Sequence, residues 1–170
     1  MRYYRYLPFI YDLNASIQKD LHALRAAKAA GVSTYIECST IDLGREVGLM
    51  KRVSEESGMH VVCSTGLWRD IPRLFWDKDP DWIAKFMLHE IEHGIDDTGI
   101  RPGVIKMAND VEGVTREAEK ALRAAARVAK ATGVPITTHH WAPTEVGRRQ
   151  AEIFLDEGVP MHLEIGRAHV

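Results

Sequence analysis

The chain has 170 residues, 45% of them apolar and 27% charged, which is enough hydrophobic material for one globular core and far from the composition of a disordered chain. Its 22 Lys and Arg against 24 Asp and Glu leave a net charge of −2 with no basic stripe, which argues against a nucleic-acid partner held through its phosphates. No apolar run approaches the roughly 18 residues of a bilayer span, and residues 1–11 lack the long apolar stretch and cleavage site of a secretory leader, so no membrane partner and a cytoplasmic location are expected.

In chain order, a helical pattern over residues 14–30 leads into a short strand-like run at 33–39 (STYIECS). A second over 44–57 leads into 60–65 (HVVCST), a third over 80–95 into 103–108 (GVIKMA), and a fourth over 115–132 into 135–140 (PITTHH). A fifth helical pattern covers 144–157. Asp79 before Pro80 is a good N-cap, and Thr115 and Thr144 are expected to cap the two helices that follow them. Four helix exits repeat as glycine and then an apolar residue, at Gly31-Val32, Gly58-Met59, Gly133-Val134 and Gly158-Val159. The strand-like runs alternate little between apolar and polar, as expected when helices cover both faces of a parallel sheet. Periodicity alone leaves a doubly wound sheet and a (β/α)8 barrel both open, although no G-x-G-x-x-G or Walker-type loop favours the former. Cys38 and Cys63 are too few for a disulfide scaffold and too far apart for a C-x-x-C site, so reduced, buried thiols are expected.

Polar residues inside buried strands are informative because burying them is costly without compensation. Lys106 sits within V-I-K-M-A, where desolvation favours a neutral amine that can add carbon dioxide as a carbamate; the alternative is a lysine that snorkels to solvent or pairs with a carboxylate. His139 ends the next strand, at the carboxyl-terminal face where active sites of parallel barrels lie. A lysine and a histidine at equivalent ends of consecutive strands can converge on one ion.

The stretches 40–47 (TIDLGREV), 60–70 (HVVCSTGLWRD), 96–106 (DDTGIRPGVIK) and 122–139 (LRAAARVAKATGVPITTH) closely resemble the phosphotriesterase family, which includes the phosphotriesterase-like lactonases and belongs to the amidohydrolase superfamily. The resemblance runs from about residue 3 to about residue 161. It implies a (β/α)8 barrel of parallel strands with outer helices, present here in part, without the N-terminal strand and the C-terminal units. It also implies a metal-dependent hydrolase of phosphotriester, lactone or other small ester substrates, acting through hydroxide activated by two divalent metals. In the family the lysine of the G-V-I-K strand is carboxylated and bridges the metals, and the histidine of the I-T-T-H strand binds one of them; carried over, these are Lys106 and His139. Zinc is the metal expected from ligand type, with cobalt, manganese or iron as alternatives. Trp68 matches the family's T-G-L-W position, where it would line the leaving-group pocket or else pack against the barrel rim. The full-length protein is expected to form a homodimer.

Other features point elsewhere. Residues 89–93 read H-E-I-E-H, a pattern that on a helix suggests a zinc protease, but Asp96 and Gly99 stand where the extended form of the motif has glycine and histidine. Glu112 or Glu117 could serve as a downstream glutamate ligand. The first-strand H-x-H pair, the I-G-H motif and the last-strand aspartate of the family are not found. Residues 1–163 are therefore expected to form a partial hydrolase barrel, inactive by itself. Residues 164–170 (EIGRAHV) are expected to be a non-native tail resembling translated sequencing-adaptor read-through, with no role for His169. A non-catalytic fragment that assembles through open strand edges is the remaining alternative.

Overall fold

The computed structural model describes Leu7, Phe9, Ile10 and residues 12–169. Helices and strands alternate as α1 (Leu13–Ala29), β1 (Thr34–Glu37), α2 (Val47–Ser57), β2 (His60–Gly66), α3 (Pro80–His93), β3 (Val104–Ala108), α4 (Arg116–Thr132), β4 (Ile136–Trp141), α5 (Val146–Asp156) and β5 (Glu164–His169). The strands lie side by side in sequence order, every neighbouring pair parallel. Each crossover is a helix, as a parallel connection requires. This is the construction of part of a (β/α)8 barrel, and β3 lies between the strands that precede and follow it in sequence, as expected.

Local chemistry sets most of the boundaries. The carboxylate of Asp79 accepts from Trp82 N at 2.7 Å with Pro80 at the first helical position, and the Thr115 hydroxyl accepts from Ala118 N at 3.2 Å. Thr144 does not cap α5. Pro143 lies in a single 3-10 turn, Ala142–Thr144, the Thr144 hydroxyl donates to the Trp141 carbonyl at 3.0 Å, and Glu145 enters the helix at φ 53° without a side-chain cap. The helical pattern expected from residue 44 likewise starts late, because 40–44 closes a 3-10 turn (Ile41–Leu43) before α2 begins at Val47.

The main core lies between the sheet and α3, α4 and α5, built from Leu67, Ile83, Met87, Ile105, Met107, Ile136, Ile153 and Phe154, all at most 1% exposed. Against it α4 presents Ala118, Ala121, Ala124, Ala125 and Ala129, whose single methyl groups let the helix lie close to its neighbours. A smaller cluster of Ile17, Leu21 and Val53 joins α1 to α2. All five residues of β3 are buried, but β1 departs from the expectation of strands covered on both faces: Tyr35 and Ile36 are about half exposed. Among the described residues β1 pairs with β2 alone, so it forms an edge.

Residues 164–169 of the tail continue the sheet, pairing with β4 from Ile136↔Glu164 to Trp141↔His169; Val170 lies outside the described residues. Both cysteines are free thiols; Cys63 is buried as expected, whereas Cys38, just past β1, is only half-buried. No helix among the described residues is long and apolar enough to cross a membrane.

Candidate active site

Alternation along β3 sends Ile105 and Met107 into the core beneath the helices and Lys106 to the opposite face. Lys106 lies opposite Gly66 of β2 and Thr137 of β4, while Ala108 lies opposite His139. His139 therefore points to the same face as Lys106, one pleat nearer the carboxyl ends of the strands. Both side chains are buried, and the Trp68 indole brings them together. Its ring centroid is 4.9 Å from that of His139, tilted by 41°, and Lys106 Nζ lies 5.7 Å from it, within cation-π range. The three residues singled out from the sequence thus surround one point at the mouth of the sheet.

The backbone around Trp68 is held from both sides. Leu67 N donates to the Lys106 carbonyl at 2.9 Å, and Trp68 N donates to both carboxylate oxygens of Asp42, each at 3.2 Å. Asp42 also accepts from the Thr40 hydroxyl at 2.6 Å. Gly66 adopts φ +110°, and a Cβ there would lie 2.0 Å from the Lys106 carbonyl oxygen. Only glycine permits the approach that puts Trp68 over Lys106.

The segment carrying Asp42 is anchored in turn by Arg45. Its guanidinium is buried and donates to the Ser64 carbonyl at 2.7 Å and to both oxygens of Glu90, at 3.0 and 2.5 Å. Glu90 further accepts from the Thr65 hydroxyl at 2.6 Å. Loop, strand and helix are thereby joined by one buried ion pair. The H-E-x-x-H motif is resolved by the same contact: Glu90 faces inward and is consumed by Arg45 and Thr65, while His89 and His93 are exposed. A glutamate so engaged is not the general base of a protease.

On the far side of His139, Asp110 Oδ2 lies 4.0 Å from Nε2 and accepts from Arg69 Nη1 at 2.7 Å, tying the loop after β2 to the loop after β3. The His139 carbonyl accepts from Asn109 N and from Gln150 Nε2, both at 3.0 Å, and Gln150 Nε2 also donates to Asn109 Oδ1 at 2.8 Å. Sequence reading missed Asp42, Arg45, Asp110 and Gln150. The one available signal was for Glu90, which recurs with Ile83 and Met87 on the buried face of α3.

Among the described residues no three His, Cys, Asp or Glu side chains gather closely enough to hold a metal ion. The groups at the mouth are of a chemistry that would suit one: an imidazole nitrogen 4.0 Å from a carboxylate oxygen, and a buried lysine that would offer oxygen donors only if carboxylated. Two such donors would be fewer than a catalytic metal site needs.

Parallel strands joined by outer helices, with polar groups collected where the strands end, define an α/β-barrel protein of enzyme type. The phosphotriesterase family matches residues 11–167, and the chain belongs to that family. It is 34% identical over 154 residues to the aryldialkylphosphatase of Saccharolobus solfataricus, covering 89% of this chain and 49% of that protein. It is 38% identical over 143 residues to a phosphotriesterase homology protein of Mycobacterium tuberculosis, covering 79% of this chain and 44% of the relative. A more distant relative, at 26% identity over 169 residues, is the N-acetyltaurine hydrolase of Danio rerio, with 92% and 48% of the two chains covered. The chain thus spans about half the length of the curated relatives it matches.

Proposed function

We propose that the whole protein is a cytoplasmic, metal-dependent hydrolase of small phosphotriester, lactone or related ester substrates, and that this chain supplies one side of its active site without catalysing the reaction alone. The observation that carries the reading is the convergence of Lys106 and His139 beneath Trp68 on one face of adjacent parallel strands. Family membership supports the hydrolase class. When bound, two divalent ions, zinc first and cobalt, manganese or iron as alternatives, would acidify water and polarise the phosphoryl or carbonyl oxygen under attack.

The chain's own residues prepare that site. Neutral Lys106 attacks the carbon of carbon dioxide; an N–C bond forms, a C=O electron pair moves to oxygen, and the nitrogen loses a proton to water. The resulting carbamate is an anionic ligand with two oxygens, and His139 would ligate through Nε2. Trp68 covers both from solvent on one side and offers an apolar wall to the leaving group. Homodimeric assembly of the whole protein forms part of the same reading.

Native mass spectrometry and hydrolysis assays with added metal test it, on this chain and on one extended to the full length of its relatives. The extended protein should be active and carry the mass of carbon dioxide on Lys106. Lys106→Ala should lose that mass and most activity, with partial rescue by a short carboxylic acid that fills the vacated space. Full activity in extended Lys106→Ala would overturn the assignment, as would tight zinc binding to this chain that depends on His139 alone.

A further inference from the structure

Two imidazoles of the H-E-x-x-H segment take no part in the contacts at the mouth of the sheet. His89 and His93 are both exposed, one helical turn apart near the end of α3, and their rings stack with centroids 4.7 Å apart at 22°. Residues four apart are neighbours on a helix surface, so the two rings share one stretch of it. His93 Nδ1 lies 3.3 Å from the His89 carbonyl oxygen, and a carbonyl can only accept, so the contact selects the tautomer with hydrogen on Nδ1 and the lone pair on Nε2. An imidazole whose other nitrogen donates to a backbone carbonyl is the arrangement that fixes histidine as a metal ligand. His93 also lies in the last turn of α3, where the partial negative charge of the helix end favours a bound cation.

We propose that His89 and His93 form a surface site for one imidazole-preferring divalent transition ion, completed by water and separate from the mouth of the sheet. It lacks the general base of a peptidase centre, because Glu90 is turned away into its ion pair with Arg45. Two neutral nitrogens and water favour ions in the order of their affinity for such donors, so Cu2+ should bind more tightly than Ni2+ or Zn2+. Mg2+ and Ca2+, which prefer oxygen, should not compete.

Isothermal titration of Cu2+ and of Ni2+ into the full chain tests the site, with paramagnetic broadening of backbone amide signals as a second readout. One equivalent should bind, and broadening should centre on residues 89–93. His89→Ala and His93→Ala should each weaken binding about tenfold or more. Lys106→Ala with His139→Ala, and His60→Ala as a control at another exposed histidine, should leave it unchanged. Because both side chains are exposed, the variants should keep the parent's circular dichroism. Binding that survives loss of both His89 and His93, or broadening centred on His139, would overturn the proposal.

Discussion

Gly66→Ala puts the geometry of the mouth to its most direct test. The new Cβ would lie 2.0 Å from the Lys106 carbonyl oxygen, and the neighbouring carbonyl carbon and amide nitrogen are both at 2.9 Å. These are backbone atoms, so no flexible side chain can yield. The end of β2 must withdraw by more than an ångström, which breaks the 2.9 Å hydrogen bond from Leu67 N, a residue with no exposed surface. A non-glycine residue in such a region costs about 1–3 kcal/mol. Stranding a buried amide costs about another 1–3 kcal/mol. The expected loss is therefore about 2–6 kcal/mol, read from the urea midpoint and slope. Gly113→Ala is the control: it shares a positive φ, of +74°, but a Cβ there meets nothing within 4 Å, so only the backbone penalty applies. Should the two variants lose equal stability, or Gly66→Ala lose less than about 1 kcal/mol, the close approach of β2 to Lys106 would be refuted.

Three further outcomes are expected. Glu90→Ala strands the Arg45 guanidinium, whose side chain is 2% exposed, and should cost about 3–5 kcal/mol by urea denaturation, whereas replacing Arg45 by Met and Glu90 by Leu together should recover most of that; an additive double variant would contradict the pairing. Glu157 is held below the ordinary glutamate value of 4.5, first by hydrogen bonding to Arg127 and also by Arg123, so its contribution is present above that value and lost as pH falls below it; the fall in urea midpoint below that pH should be shallower in Glu157→Gln, and an identical profile would refute the role. Burial pushes the Cys63 thiol up, against the opposing charge of Arg45, so a thiol reagent should label half-buried Cys38 first and Cys63 only on unfolding, as peptide mass mapping can show.

The parts of the molecule legible in the sequence are those governed by short-range rules. Asp79 and Thr115 cap their helices because the signal needs only four consecutive residues, and Lys106 and His139 could be placed on one face because side chains alternate along a strand. Thr144 failed because Pro143 inserts a 3-10 turn whose geometry no spacing rule anticipates. Arg45 and Glu90 are 45 positions apart, and Asp42 and Trp68 are 26 apart; their pairing depends on where β2 brings its neighbours, which periodicity does not report. The H-E-x-x-H spacing misled for the complementary reason. It registers that two histidines share a side of the helix, and says nothing of the Ile83, Met87 and Glu90 stripe that turns the glutamate inward.

The alanine surface of α4 bears on how such a protein can change. A contact made of larger side chains can be redesigned by trading volume between neighbours, but methyl groups leave nothing to trade: every enlargement at Ala121, Ala124 or Ala125, none of which has exposed surface, must move a helix bodily. The same helix carries on its outer side Arg123 and Arg127, which reach Glu157 at the end of α5 through contacts that longer or shorter side chains can rebuild. In a randomised library the two sides of α4 would therefore diverge sharply, with near-zero acceptance at the inward positions and wide acceptance outward. Variation would accumulate in the ionic rim while the depth of the helix against the sheet, and with it the placement of β3 and Lys106, stayed fixed.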